Sequence, residues 1–329
     1  MSFYCQASSW MEGLGKPDPT ASQVDKDRLY LHFFDGLVNA TSSYWNWNHF
    51  ASVLEMYSKR QITKEADTLN AFLGVMNQIR RSRPTVKLLC GLPFFETSEC
   101  KYKVTIIDSF AHLVTAALSW YSRTDESRLH QRQSTFPSWT WAGWSGQAEF
   151  WLRHVVEATH RPFLRGAHLE ASSGQTVVSS ALYSRDLHLE LDTVTLIQFE
   201  APMIPAASFA IMENRSADSN HDAKCAESDN FGDCGRRIYP NSYPDRHRFQ
   251  QLIENVQSGK WSCLVLCAGR ISEEGEEEEY SIFVLVVRWE ADQVTAERMD
   301  SFCIYSDMVD ETKLEPIEET WTWRRVRLL

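Results

Sequence analysis

Phe136-Pro137-Ser138-Trp139-Thr140-Trp141-Ala142-Gly143-Trp144-Ser145-Gly146 places three indoles between a proline and a pair of glycines. Trp139 and Trp141 are two apart, so an extended backbone points both to one side and sends Ser138 and Thr140 to the other. Pro137 fixes its own φ and biases Phe136 toward extended geometry, while Gly143 and Gly146 permit a turn or a close backbone approach. The expected product is a short aromatic-faced strand followed by a sharp change of direction. Each ring buries on the order of 150–250 Å², at roughly 25 cal/mol per Å², so the segment is costly to leave in water. Two uses compete. The rings form a hydrophobic latch with each indole N–H held by a backbone carbonyl, or they line a groove for a ligand or partner. Ser145 is not a nucleophile elbow, because Gly143-Trp144-Ser145-Gly146 lacks the Gly-x-Ser-x-Gly spacing.

Upstream of this stretch the apolar spacing is helical. Tyr44, Trp45, Trp47, Phe50, Val53, Leu54 and Tyr57 recur at three- and four-residue intervals and predict a helix over 43–58. Leu69, Phe72, Leu73, Met76 and Ile79 form a second stripe, which Pro84 stops. Phe110, Leu113, Val114, Ala117 and Leu118 form a third, with Asp108 as its cap and Trp120 near its end. Between these, Leu88–Pro93 fits either a last helical turn or a buried loop. A polar loop is expected from Ser122 to Thr135, and residues 2–6, 12–27 and 28–37 suggest a weak strand, a loop and a short amphipathic segment.

Downstream the period changes to two. Strands are predicted at Thr176–Leu182, Leu187–Phe199, Ser262–Ala268, Tyr280–Trp289 and Phe302–Tyr305, with one helix over Arg248–Val256. Trp151–Ala158 fits helix or strand, and Arg161-Pro162 is expected to end it. Residues 213–246 are polar and read as a long surface insertion. Glu273–Glu279 is a hairpin connection kept in water by like-charge repulsion.

Composition limits the function classes. The chain has 329 residues, 12% of them aromatic with 12 Trp, enough for a substantial core. Its 44 acidic against 33 basic residues give a net charge of −11. That balance argues against nucleic-acid and anionic-membrane binding. Arg80, Arg81, Arg83 and Lys87 read as a cation cluster at a helix end, and Arg324, Arg325 and Arg327 as a solvated terminus. No signal peptide or membrane span is recognisable, which predicts a soluble cytoplasmic protein whose eight cysteines are free thiols.

The sequence offers no catalytic, cofactor-binding or metal-ligating assignment. His221, Cys225, Cys234 and His247 lack a tight Cys-x-x-Cys pair for zinc. His154, Glu157 and His160 lack the His-Glu-x-x-His spacing that puts two ligands on one helical face. Cys263 and Cys267 would share a face of a regular strand and read as core residues. His112, His168 and His188 read as surface or hydrogen-bonded structural residues. Asp67, Asp108 and Asp125 read as caps or solvated groups. No phosphate loop, dinucleotide fingerprint or EF-hand is present.

Tyr57-Ser58-Lys59-Arg60-Gln61-Ile62-Thr63, Asp67-Thr68-Leu69-Asn70-Ala71-Phe72-Leu73-Gly74, Gly91-Leu92-Pro93 and Phe136–Trp144, in that order, resemble the region downstream of the HET domain in fungal heterokaryon incompatibility proteins. Trp261–Ala268, Tyr280–Trp289 and Trp321–Leu329 are similar to the tail of those proteins. The opening Leu-Ser-Tyr-x-Trp-Gly type motif and the Trp-Ile-Asp and Cys-Ile-Asn-Gln segments of the HET domain itself do not occur in the chain. Phe3-Tyr4-Cys5 and Trp10-Met11-Glu12 look like the point immediately after that domain. The resemblance implies a truncated gene product, a fragment or a separately encoded companion. Its expected role is a regulatory module in non-self recognition whose partner is a protein, the missing HET domain included. The first two helical stripes and the aromatic segment would then present an apolar surface when that domain is absent.

The expected architecture is α+β: a mainly helical region over 1–135, a Trp-rich joint over 136–146, and a mainly antiparallel sheet region over 147–329 sharing a core with the helices. The expected function is a noncatalytic recognition or regulatory module. The alternatives are an enzyme with a dispersed active site, a hydrolase among them, and a fragment without independent function.

Overall fold

Spaced apolar side chains produce helices ahead of the tryptophan segment and long paired strands after it. The computed structural model describes residues 47–59, 67–70, 72–74, 87–94, 109–123, 131–151, 161–177, 194–206, 227–228, 236–237, 246–271, 279–306 and 321–329. All of them belong to one unit, Asn46–Leu329. The expectations for residues 2–37 fall outside the described residues, as do Met76, Ile79 and the Arg80–Arg83 cluster.

Helix α1 (Trp47–Ser58) buries Phe50, Val53, Leu54 and Tyr57, the face that the spacing predicts. Residues 67–70 and 72–74 are helical and deliver Phe72 edge-on to Phe50, with centroids 6.0 Å apart, and tilted to Tyr57 at 5.1 Å. The two stripes therefore bury each other. Among the described residues the exposed large hydrophobic side chain is Leu329, so the apolar surface expected of an isolated module is not found there.

Leu88–Pro93 is neither a helical turn nor a loop. Strands β1 (Lys87–Leu89) and β2 (Leu92–Phe94) form a hairpin around Cys90-Gly91. Both turn residues are left-handed, at φ 46° and 84°, which is the primed-turn geometry of a two-residue loop. Pro93 faces Leu88. In a two-residue hairpin that pair exchanges no backbone hydrogen bonds, so the missing N–H costs nothing.

Helix α2 (Ser109–Leu118) buries not one face but every described side chain except half-buried His112. Asp108, its expected cap, lies outside the described residues. Strand β3 (Trp120–Arg123) follows at once and pairs antiparallel with β4 (Gln147–Phe150). Trp120 is thus a strand residue, and the start of the predicted polar loop is also strand. The partner strand lies on the far side of the tryptophan segment, a contact that local pattern does not reveal.

The large sheet contains β5 (Arg161–Pro162), β6 (Arg165–Ala171), β7 (Thr176–Val177), β8 (Val194–Ile204), β9 (Glu227–Ser228) and β10 (Arg236–Arg237). After helix α3 (Arg246–Gln257) it continues with β11 (Trp261–Ile271), β12 (Glu279–Trp289), β13 (Thr295–Ser306) and β14 (Thr322–Leu328). The order is β5-β11-β12-β13-β14-β8-β6-β7, and β13–β14 is its parallel pair. Cys263 with Ile204 and Leu264 with Met203 join β11 to β8, which closes β8, β11, β12, β13 and β14 into a ring. The architecture is α+β, with helices first, a tryptophan-containing middle and a mostly antiparallel sheet.

Several boundaries differ from expectation. Arg161-Pro162 is a short strand beside β11, and proline is tolerated there because the pair lies at an edge, while the stretch it was expected to end lies outside the described residues after Trp151. Strand β8 runs on to Ile204, while Leu187–Thr193 lies outside the described residues. Strand β13 starts at Thr295, seven residues before the predicted Phe302. The C-terminal arginines stand in β14, paired along its length with β8, and are not a solvated tail. Short strands β9 and β10 interrupt the 213–246 insertion, most of which lies outside the described residues. Helix α3 buries Leu252, Ile253 and Val256 as predicted, against Cys263, Val265, Val284 and Val286 of the sheet.

The β12–β13 connection is built around Asp292. Its carboxylate accepts from the Thr295 hydroxyl at 2.6 Å and from the N–H groups of Thr295 at 2.7 Å and Val294 at 2.9 Å. The Thr295 hydroxyl first, then these amides, hold its pKa below the ordinary carboxylate value. A depressed folded pKa contributes stability above the unfolded pKa of roughly 3.9, and that contribution is lost as pH falls through the folded value. Asp292→Asn is therefore expected to flatten the acid limb of stability against pH below about pH 4. Urea unfolding across that range checks it, and identical slopes in both proteins would contradict it.

Candidate functional site

Thr140 decides the shape of the tryptophan segment. Its hydroxyl accepts from the Ala142 N–H at 3.2 Å and donates to the Cys90 carbonyl at 2.6 Å. That side-chain cap opens a 3-10 turn, Trp141–Gly143, in place of the expected strand. The close approach predicted at Gly143 is real, since a Cβ there would lie 2.4 Å from the Pro137 carbonyl oxygen.

The turn sends the rings to different neighbours. Trp141 Nε1 donates to the Gly91 carbonyl at 3.1 Å, and its ring meets Phe72 at 5.0 Å and Tyr57 at 5.9 Å, both edge to face. Trp144 Nε1 donates to the Ser138 carbonyl at 2.8 Å, and Arg132 lies over its ring at 5.8 Å. The Trp139 carbonyl accepts from Trp120 Nε1 at 3.0 Å, whereas Trp139 Nε1 has no acceptor among the described residues. The latch therefore holds two of its three indole N–H groups through carbonyls. The rings are 0%, 3% and 7% exposed, so they do not line an open groove.

Ser138 welds this segment to the sheet. Its N–H donates to the Leu329 carbonyl at 2.8 Å, its hydroxyl donates to the same oxygen, and that hydroxyl accepts from the Arg298 N–H at 3.0 Å. It stands where β13 and β14 part after their two parallel pairs and completes the ladder between them. Arg298, 1% exposed, reaches the other way. Nη1 donates to the Leu118 carbonyl at 3.0 Å, and Nη2 donates to the Trp120 carbonyl and to Ser301 Oγ at 2.8 Å. Its guanidinium lies 3.6 Å from the centroid of the Trp120 ring. Helix α2, strand β3, strand β13 and the chain end thus meet at two residues. Ser138→Ala strands the Arg298 amide and is expected to cost about 1–3 kcal/mol in urea unfolding. A loss within about 0.5 kcal/mol would contradict that role.

The sheet face formed by β6, β8 and β14 offers solvent-facing chemistry. Register places Arg165 and Arg325 on either side of Glu200, and His168 and Arg327 on either side of Gln198. Arg325 pairs with Glu200 at 3.4 Å and Arg327 with Glu170 at 3.3 Å. Arg165 turns aside and stacks 3.6 Å over the Trp323 ring. This face was not legible in the sequence because the arginines of β14 read as a terminus. The alternation of Trp323, Arg325 and Arg327 with Val326 and Leu328 was the available signal.

No family model, curated protein or solved structure matches this chain.

The other residues weighed in the sequence are dispersed. The side chains of His221, Cys225, Cys234 and His247, and residues His154, Glu157, His160, His188, Asp108 and Asp125, lie outside the described residues. His112 is on α2, and His168 Nδ1 lies 3.0 Å from the Gly166 carbonyl in β6. Asp67 is exposed, and Ser145 Oγ accepts from the Gln131 N–H at 2.7 Å. Cys263 and Cys267 do not share a face. A bulge between Val265 and Cys267 turns the second thiol to Ser119 Oγ, 3.4 Å away, and burial pushes both thiols' pKa far up.

One carboxylate cluster gathers near the end of α1. Glu149, 7% exposed, accepts from the Tyr121 hydroxyl at 2.8 Å and from Gln147 Nε2 at 2.6 Å. The same Nε2 lies 3.3 Å from Glu55 Oε1, which Lys59 contacts at 3.0 Å. Among the described residues no group of three His, Cys, Asp or Glu is placed to hold a metal ion, and no helix is long and apolar enough to cross a membrane.

Proposed function

We propose that the chain is a noncatalytic recognition module that acts in the cytoplasm in a fungal incompatibility-like system and works on a protein partner. The observation that carries this is the division of labour among its aromatic and charged residues. The tryptophan segment is consumed as an internal joint, while Arg165 and Arg325 face solvent on the sheet. A surface of that kind binds and orients a partner without chemistry of its own. The resemblance to the region downstream of the HET domain supplies the partner class: a HET-domain effector that this module restrains or positions.

The test is coexpression in a filamentous fungus with HET-domain effectors, scoring cell death. The proposal expects the death response to at least one effector to change when this chain is present. An unchanged response to every effector contradicts it. A second reading, a hydrolase, is favoured by the Glu149–Gln147–Glu55 cluster, where two carboxylates approach one amide. That reading requires Glu149→Gln to abolish hydrolysis of some ester or glycoside substrate while leaving unfolding unchanged.

A further inference from the structure

We propose that the face of β6, β8 and β14 docks an acidic, extended segment of a partner protein, its carboxylates on Arg165 and Arg325. The proposal rests on the recognition reading and names the chemistry of what is recognised.

Three features of the face carry it. Arg165 and Arg325 flank one carboxylate, Glu200, in a single row across three strands, so this row holds two guanidinium groups for one internal acid. Arg165 leaves that acid and stacks on Trp323 at 3.6 Å, with no ion pair to an acid among the described residues. A guanidinium pinned on an indole loses little further freedom on binding and keeps its N–H edges for bidentate contact with carboxylates. Arg325 is 63% exposed and holds Glu200 only at 3.4 Å, in competition with water. This row carries one more cation than anion on a chain of net charge −11. An acidic segment complements it, and a basic or neutral one does not.

Glu200 is an internal competitor for Arg325. Removing its charge should therefore improve binding, which a merely structural ion pair does not predict.

The test is fluorescence anisotropy of the full chain with fluorescein-labelled hexaglutamate at low ionic strength. Expected is saturable binding that unlabelled hexaglutamate displaces and hexalysine does not. Arg165→Glu and Arg325→Glu should each weaken it about tenfold, and Glu200→Gln should tighten it about threefold. Unchanged unfolding midpoints in the variants establish that each is folded. Absence of binding up to about 1 mM peptide overturns the proposal. So does binding that ignores all three substitutions, displacement by inorganic phosphate at equal concentration, or preference for phosphatidylserine vesicles over the peptide. The cell-death assay reports the recognition role through any surface. Lost peptide binding with an intact death response overturns this face alone, and the reverse overturns only the role.

Discussion

Arg298→Met is expected to lower the unfolding free energy by about 3 kcal/mol, from a buried carbonyl left without its charged donor and a lost cation–π contact. The guanidinium is 1% exposed and donates to Leu118 O, Trp120 O and Ser301 Oγ from one planar fork. Methionine fills part of the volume but donates nothing, which strands the Leu118 carbonyl and removes the cation from the Trp120 ring. Trp120 O retains the Ser301 hydroxyl, which donates at 2.9 Å, so the loss is partial at that end. Arg298→Lys should recover less than half of the loss, because an ammonium on a flexible stem cannot reach both carbonyls and stack at once. Urea unfolding reads the effect as a shifted midpoint at constant slope. Arg325→Met on the exposed face serves as the control and should stay within about 0.5 kcal/mol. A cost near that control for Arg298→Met would remove the cation from its assigned place in the joint.

Trp141→Ala is the second large effect, expected at about 3–5 kcal/mol. The indole is 3% exposed, meets Phe72 and Tyr57 edge to face and donates to Gly91 O in the left-handed hairpin turn. Truncation opens a cavity where the indole met Phe72, Tyr57 and the β1–β2 hairpin. Trp141→Phe separates the two contributions: it keeps much of the packing, leaves Gly91 O without its donor, and should cost about 1–3 kcal/mol. Equal losses in the two variants would show that the hydrogen bond, and not the ring volume, carries the contact.

Elements with a strong period were legible in the sequence. The α1 stripe through Phe50, Leu54 and Tyr57, the α3 face and the β11–β12 pair all follow from spacing alone, because burial on one side leaves its period in the chain. What escaped depends on partners distant in sequence or on a single side chain. Strand β3 exists because Gln147–Phe150 pairs with it across the tryptophan segment. The 3-10 turn exists because the Thr140 hydroxyl caps it, where two-residue spacing of indoles suggested a strand. The Cys90-Gly91 turn is hidden because cysteine is an unusual residue at a left-handed position. The site was less legible than the fold. Arg298 carried no motif, and its role arises only when α2, β3 and β13 converge. Arg165 and Arg325 are far apart in sequence and become neighbours of Glu200 through register.

If the tryptophan segment welds the helices to the sheet, the two must open together. Hydrogen exchange followed by mass spectrometry on the intact chain tests this most directly, comparing peptides that cover 109–123, 136–146 and 295–306 under native conditions. The joint role predicts one opening free energy for all three, lowered equally by Ser138→Ala. Exchange of 109–123 through a lower-energy opening than 295–306, in a protein whose joint is intact, would contradict it.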